Sequence, residues 1–197
     1  ALEELGLPYR VHAVNIAKGE QLSEEFARIS PNQKIPAIVD SDAGLTLMES
    51  GAILMYLAGK AGRLLPAEPD RYWEAIQWLM WQKAAFGPML GQALHYLKYN
   101  RGKSTYSEDR FEIETHRLYR VLDRQLESRE FIAAGEYTIV DIACWPWTAR
   151  HEYQSVDLHE YPHVLDWYMR IAERPAVRAG WAVPVPEDVP LPPPADV

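Results

Sequence analysis

Residues 30–51 read SPNQKIPAIVDSDAGLTLMESG, and the way this stretch folds decides the rest. KIPAIVD (34–40) and LTLM (45–48) are short apolar runs rich in strand-forming side chains. The DSDAG between them is turn chemistry, with Gly44 where a positive φ is tolerated, so the pattern predicts a β-hairpin. SPNQ in front of it is a second turn signal. Behind it, Glu49-Ser50-Gly51 lies where a strand ends and a helix begins. That helix, ESGAILMYLAGKAG (49–62), carries Ile53, Leu54, Leu57 and Ala58 as an apolar stripe.

Working outward, ALEELGL (1–7) is the amphipathic end of a helix with Gly6 placed as its stop. YRVHAVNI (9–16) alternates side chains in the strand manner and is expected to pair in a sheet. A short helix around Ser23–Ile29 leads back to SPNQ. Residues 1–62 thus mix helix and strand as one α/β unit, and the proline-bearing RLLPAEPDR supplies a linker at 63–70. Residues 71–183 are helical throughout. WEAIQWLMWQKAAF (73–86) sets Trp73, Ile76, Leu79, Met80 and Lys83 on one side and is expected to stop at Gly87-Pro88. SEDRFEIETHRLYRVLDRQLE (107–127) aligns Phe111, Leu118, Leu122 and Leu126. TIVDIACWPW (138–147) opens with Thr138 and Asp141 at capping-box spacing, and Pro146 is expected to kink it. HVLDWYMRIAERPAV (163–177) is amphipathic and ends at Pro175. The tail, 184–197, is proline-rich and reads as extended rather than helical.

Bulk properties narrow the function. The 197 residues are 48% apolar, with 20 Lys and Arg against 28 Asp and Glu, a formal charge of -8. Phosphate backbones call for clustered cations, so a nucleic-acid partner is not expected. There is no apolar run of membrane-spanning length and no export signal, so no membrane partner is expected either. The single cysteine, Cys144, rules out an intrachain disulfide and a cysteine-rich metal site, and it fits a reducing, cytoplasmic setting. The histidines show no metal-ligand spacing.

The succession SPNQKIPAIVD, ESGAILMYLAGKAG, AIQWLMWQ, GPMLGQ, ETHRLYRVLD and EYTIVDIACWPW closely resembles the cytosolic glutathione transferases, across about residues 1–180. Within them it resembles the bacterial nu class most. The resemblance implies an α/β plus all-α chain, a thioredoxin-like N-terminal domain followed by an all-helical C-terminal domain. It also implies a first strand and loop upstream of Ala1, lying between the strand at Tyr9–Ile16 and that at Ile35–Val39, in roughly 15–20 further residues. The family's thiol-activating residue is expected in that upstream stretch.

The same resemblance implies a glutathione cradle. Pro36 is expected to be cis, exposing the backbone of Ile35 for pairing with the tripeptide like an added strand. The competing reading is an ordinary trans proline at a strand start. Ser50 is expected at the helix N-terminus, where free N–H groups attract the γ-glutamyl carboxylate, with Glu49 taking the adjacent ammonium. Ser50 as a plain N-cap is the alternative. Gln21, after AKGE, and Lys34, beside Ile35, are further candidates, each also explicable as an exposed polar residue. Arg110 is expected to reach toward glutathione from the helical domain, its alternative being a surface ion pair with Glu114. Asn32 reads as a turn residue, and Cys144 and Asp141 read as structural. The Trp73, Trp78, Trp81 cluster is assigned to core and domain interface. Met89, Tyr96 and Trp147 are the candidates for a second-substrate pocket.

The activity implied is activation of the glutathione thiol, for disulfide reduction, conjugation to a small electrophile, or both. Glutathione is the co-substrate and no metal is implied. A homodimer is expected. A non-catalytic binding module on the same scaffold is the alternative.

Overall fold

The computed structural model describes residues 1–193. The hairpin forms as its pattern predicts. Strands β1 (Ala37–Asp40) and β2 (Leu45–Met48) pair antiparallel, with Ala37 opposite Met48 and Asp40 opposite Leu45. Gly44 takes a φ of 64°, and one Asp40 oxygen accepts from the N–H groups of Asp42 and Ala43 at 3.1 Å each, closing the turn. The other oxygen accepts from Tyr56 at 2.7 Å and from Lys60. Both donors lie on helix α3 (Ser50–Ala61), so the turn and the helix hold each other.

Ahead of the hairpin, α1 (Leu2–Leu5) ends at Gly6 in the left-handed region, and α2 (Glu24–Ile29) starts under a Ser23 side-chain cap. Between them the expected strand is absent. Residues 9–15 run irregularly into a 3₁₀ turn at Ile16–Lys18. Alternation sets an extended path, but a strand exists only through a ladder with a neighbour. Among the described residues β1 and β2 pair only with each other, and Tyr9, Val11 and Ile16 stand exposed.

Helix α3 has two apolar faces, offset by one residue. Ile53 and Leu57 join Leu5 in a small core beneath the hairpin, against Ile38 and Leu47. Leu54 and Ala58 instead enter the large core of the helical half. Burying one such leucine contributes roughly 1.5–3 kcal/mol, so the helix that opens beside the cleft described below is pinned from both sides.

The helical half begins with α4 (Pro69–Trp81), whose proline at the first turn starts the helix inside the segment assigned to the linker. The chain does not stop at Gly87-Pro88. A π-helical turn at Gln82–Phe86, closed by Gly87 N–H to Gln82 O, carries α4 into α5 (Gly87–Ala93). The wider turn shifts the hydrogen-bond register just where Pro88 has no N–H to offer. The buried stripe also differs from the expected one: Ala75, Leu79, Gln82 and Phe86 face inward, while Met80 and Trp73, the latter 64% exposed, lie on the opposite side. Trp73 therefore leaves the core cluster, although Trp78 and Trp81 meet edge-on at 5.1 Å and Trp81 stacks on Phe86 at 5.0 Å.

A second π-helical turn (Leu94–Tyr99) precedes α6 (Thr105–Leu126), whose Leu118, Leu122 and Leu126 are buried as read. Helix α7 (Ile139–Thr148) opens with the capping box of Thr138 and Asp141 and runs two residues past Pro146. Asp141 is fully buried; burial pushes its carboxyl up to about 6, against the pull of bonds from Thr138, Ile132 and Trp167. Helix α8 (Pro162–Ala172) ends before Pro175, as expected, and Pro175 then starts a short α9 (Pro175–Trp181). Residues 184–193 are not helical, and Tyr168 ties them down by a bond to the Pro190 carbonyl. The last four residues of the proline-rich tail lie outside the described residues. Among the described residues no helix is long and apolar enough to cross a membrane.

Candidate functional site

The end of β2, the start of α3 and the turn before β1 enclose a cleft of about 190 Å³. Its wall comprises Ser30, Asn32, Lys34, Ile35, Pro36, Met48, Glu49 and Ser50. Of the sequence candidates, Lys34, Ile35, Pro36, Glu49 and Ser50 thus meet at one place, although the ends of that set are 16 positions apart.

The floor is backbone. The Ile35–Pro36 bond is cis, as expected, and Ile35 is 50% exposed. Neither the N–H nor the C=O of Ile35 enters a backbone hydrogen bond among the described residues, so both remain open to an extended ligand. Just before it, the buried Ser30 donates its hydroxyl to the Lys34 carbonyl at 2.9 Å, and its backbone N–H bonds to Phe26 O at 2.8 Å. Ser30 therefore fixes the course of the chain into the cleft from below. Sequence reading had used it only as part of a turn signal, and Asn32, read as a turn residue, also stands in the wall.

The other side is a helix mouth. Glu49 holds a φ of 67° and a ψ of 112°, and its carbonyl accepts the first helical bond, from Ile53 N–H at 2.9 Å. Its side chain caps nothing, so the first N–H groups of α3 have no side-chain acceptor. Such an N-terminus favours an anion through these donors and the helix dipole. An acidic residue in the left-handed half of backbone space is unusual, and it turns Glu49 out to an exposed position at the rim.

Ser50 is not the cap. It sits one residue later, inside the helix, and its hydroxyl accepts from Lys83 Nζ at 2.7 Å. Lys83 belongs to the π-helical turn after α4, and its stem lies against the buried Gly51, where a Cβ would stand 3.2 Å from Lys83 Cε. Burial lowers the Lys83 pKa from the usual lysine value, and the negative charge of Glu49 opposes that shift. No local sequence signal marks this contact, which spans 33 positions.

Gln21 and Arg110 do not line the cleft. The Gln21 carboxamide oxygen is turned inward without a hydrogen-bond partner. Arg110 is exposed, and the ion pair weighed for it goes elsewhere: Glu114 takes a two-point bond from Arg117, at 2.7 and 2.8 Å. Arg110 enters no ion pair among the described residues. Cys144 is fully buried, and desolvation pushes its thiol well up. Met89 and Trp147 are spent on packing against the helical core, while Tyr96 lies parallel to Phe111 with ring centroids 5.3 Å apart.

A thioredoxin-like first half with a cis-proline cleft, joined to an all-helical second half, defines a recognisable class of two-domain chain. Residues 1–59 match the glutathione S-transferase N-terminal domain and residues 82–175 the C-terminal domain, and the chain belongs to the glutathione S-transferase family. It is 47% identical over 180 residues to the disulfide-bond oxidoreductase YfcG of Escherichia coli, covering 89% of this chain and 84% of that one. It is 38% identical over 190 residues to the disulfide-bond oxidoreductase YghU of the same organism, covering 91% and 66%. A glutathione transferase structure from Pseudomonas putida, with one glutathione disulfide bound per subunit, superposes at a TM-score of 0.87 and 41% identity, covering 93% of this chain and 84% of that one. One from Pseudomonas fluorescens with two glutathiones bound gives 0.87 and 42%, covering 93% and 86%.

Proposed function

We propose that this protein binds glutathione in the cleft between Ile35 and Ser50 and uses its thiol to reduce disulfides, with conjugation to small electrophiles as a secondary activity. The observation that carries the reading is the pairing of an open peptide edge at Ile35 with an uncapped helix N-terminus at Ser50 around one small cleft. A γ-glutamyl tripeptide offers what each needs. Its cysteinyl N–H and C=O extend the edge as an added strand, its γ-glutamyl carboxylate meets the N–H groups of α3, and its ammonium faces Glu49. In this reading Lys34 takes the glycyl carboxylate, and Arg110, in no ion pair among the described residues, reaches toward the ligand from the helical half. Gln21 lies outside the cleft wall, and on the same reading its side chain turns from its inward position to meet the tripeptide. These residues bind and orient; they are not assigned to sulfur activation.

Disulfide reduction is favoured over conjugation by the relatives, two of which are named disulfide-bond oxidoreductases, and by the structural neighbours, one holding glutathione disulfide and another two glutathiones. The only cysteine of the chain is sealed in the core. In this reading the exchange runs between glutathione sulfurs: one thiolate attacks the substrate disulfide and releases a thiol, and a second glutathione resolves the mixed disulfide as glutathione disulfide. The same reading carries a homodimer, the first domain of one chain meeting the helical domain of the other, and sedimentation at monomer mass would overturn that part.

The test compares turnover of a small disulfide and of an aryl halide, each with glutathione, alongside calorimetry with glutathione alone. Disulfide turnover is expected to dominate. Activity on the halide alone overturns the assignment, and absence of glutathione binding supports a non-catalytic module instead.

A further inference from the structure

Lys83 is a half-buried cation without a carboxylate partner among the described residues, and its one hydrogen bond is to Ser50. Ammonium groups are donors only, so this bond occupies a lone pair of the Ser50 oxygen. The serine's own hydrogen must then point away from Lys83. Ser50 lines the cleft and Lys83 does not, so the direction left open leads into the cleft. A serine held this way presents a donor, and it selects an acceptor in preference to another donor. The stem of Lys83 is packed over Gly51, which keeps the charge directly behind the helix mouth. Removing solvent from a cation strengthens its field and makes a nearby anion favourable.

We propose that Lys83 is a positioning residue for the γ-glutamyl carboxylate: it orients the Ser50 hydroxyl as a donor into the cleft and places an unpaired positive charge behind it. The inference rests on the glutathione reading above and deepens it, by making the helical half select the acid end of a ligand held by the first half.

The experiment measures binding of glutathione and of its analogue lacking the γ-glutamyl α-carboxylate, 4-aminobutyryl-cysteinylglycine, to the wild type, Lys83→Met, Lys83→Arg, Ser50→Ala and the Lys83→Met/Ser50→Ala double variant. Loss of a charge-assisted contact predicts about tenfold weaker glutathione binding by Lys83→Met. Binding of the analogue is expected to change less than about twofold, since the group being read is missing from it. Lys83→Arg, which keeps a cationic donor, recovers most of the affinity. In the double variant the two losses are expected not to add, because Lys83 acts through Ser50. Thermal melts report folding of each variant, so a purely structural role would appear as equal losses for both ligands with a lowered Tm. That result, additive losses, or undiminished glutathione binding by Lys83→Met would overturn the role of Lys83 while leaving the cleft assignment intact. No glutathione binding by the wild type overturns both.

Discussion

Glu4, on the first helix, takes a two-point bond from Arg174, its oxygens 2.6 and 2.8 Å from the guanidinium nitrogens. The two residues are 170 positions apart, and the same guanidinium lies 3.9 Å from the centroid of the Tyr137 ring. The Glu4 side chain is only 9% exposed, the Arg174 side chain 34%. Arg174→Ala therefore strands a largely buried carboxylate, and a loss of roughly 1–3 kcal/mol is expected in urea unfolding, discounted for the exposure of the arginine. Arg174→Lys keeps the charge but neither the fork nor the stacking plane, and recovers only part of that loss.

Asp40 makes the hairpin sensitive to acid. Its bonds from Lys60 and Tyr56 hold the carboxyl well below the usual carboxylate range. A depressed pKa in the folded state stabilises above the unfolded value of about 4 and is lost as pH falls below it. Asp40→Asn is expected to flatten the acid limb of stability below about pH 4, read by circular dichroism melts across pH.

Asp141 is the buried acceptor for three N–H donors: Thr138 N at 2.9 Å, Ile132 N at 3.1 Å and Trp167 Nε1 at 2.9 Å. Asp141→Ala leaves all three dry and unpaired and removes half of a capping box. A loss of about 3–5 kcal/mol is expected, enough to prevent accumulation of folded protein at 37 °C.

Cys144 is expected to be chemically silent. The native protein should not react with an aromatic disulfide reagent until denaturant is added, and Cys144→Ala should keep the proposed disulfide reductase turnover while losing about 1 kcal/mol of stability. Loss of turnover with unchanged stability would show that the thiol takes part.

Arg110 and Arg117 provide a matched pair on one helix. Arg117 is committed to Glu114, whereas Arg110 has no such partner among the described residues. Arg110→Ala is expected to weaken glutathione binding about 5–10-fold without moving the Tm, while Arg117→Ala leaves binding unchanged and costs less than about 1 kcal/mol.

Much of this was legible in the chain because it depends on neighbours in sequence. The hairpin around Gly44, the stop at Gly6 and the capping box at Thr138 and Asp141 are local rules of backbone geometry and hydrogen bonding, and they hold wherever the residues sit. The cis bond at Pro36 was legible too, through the motif around it. The segment at Tyr9–Ile16 forms no strand among the described residues for the complementary reason: its alternation is local, but a strand needs a partner that no local pattern supplies. The continuation through Pro88 depends on the π-helical turn at Gln82–Phe86, which shifts the register of the helix without leaving a mark in periodicity, whereas Trp73 faces outward because Ala75 and Leu79, on the opposite side of the same regular helix, take the core.

By itself, then, the sequence determined the hairpin, the main helices and their order, and five of the residues around the cleft. Only the tertiary structure decided that Glu49 rather than Ser50 heads α3, that Ser30 braces the floor, and that Lys83 reaches across from the other half. Those outcomes turn on where desolvated donors find acceptors, and that is settled by packing between elements far apart in the chain.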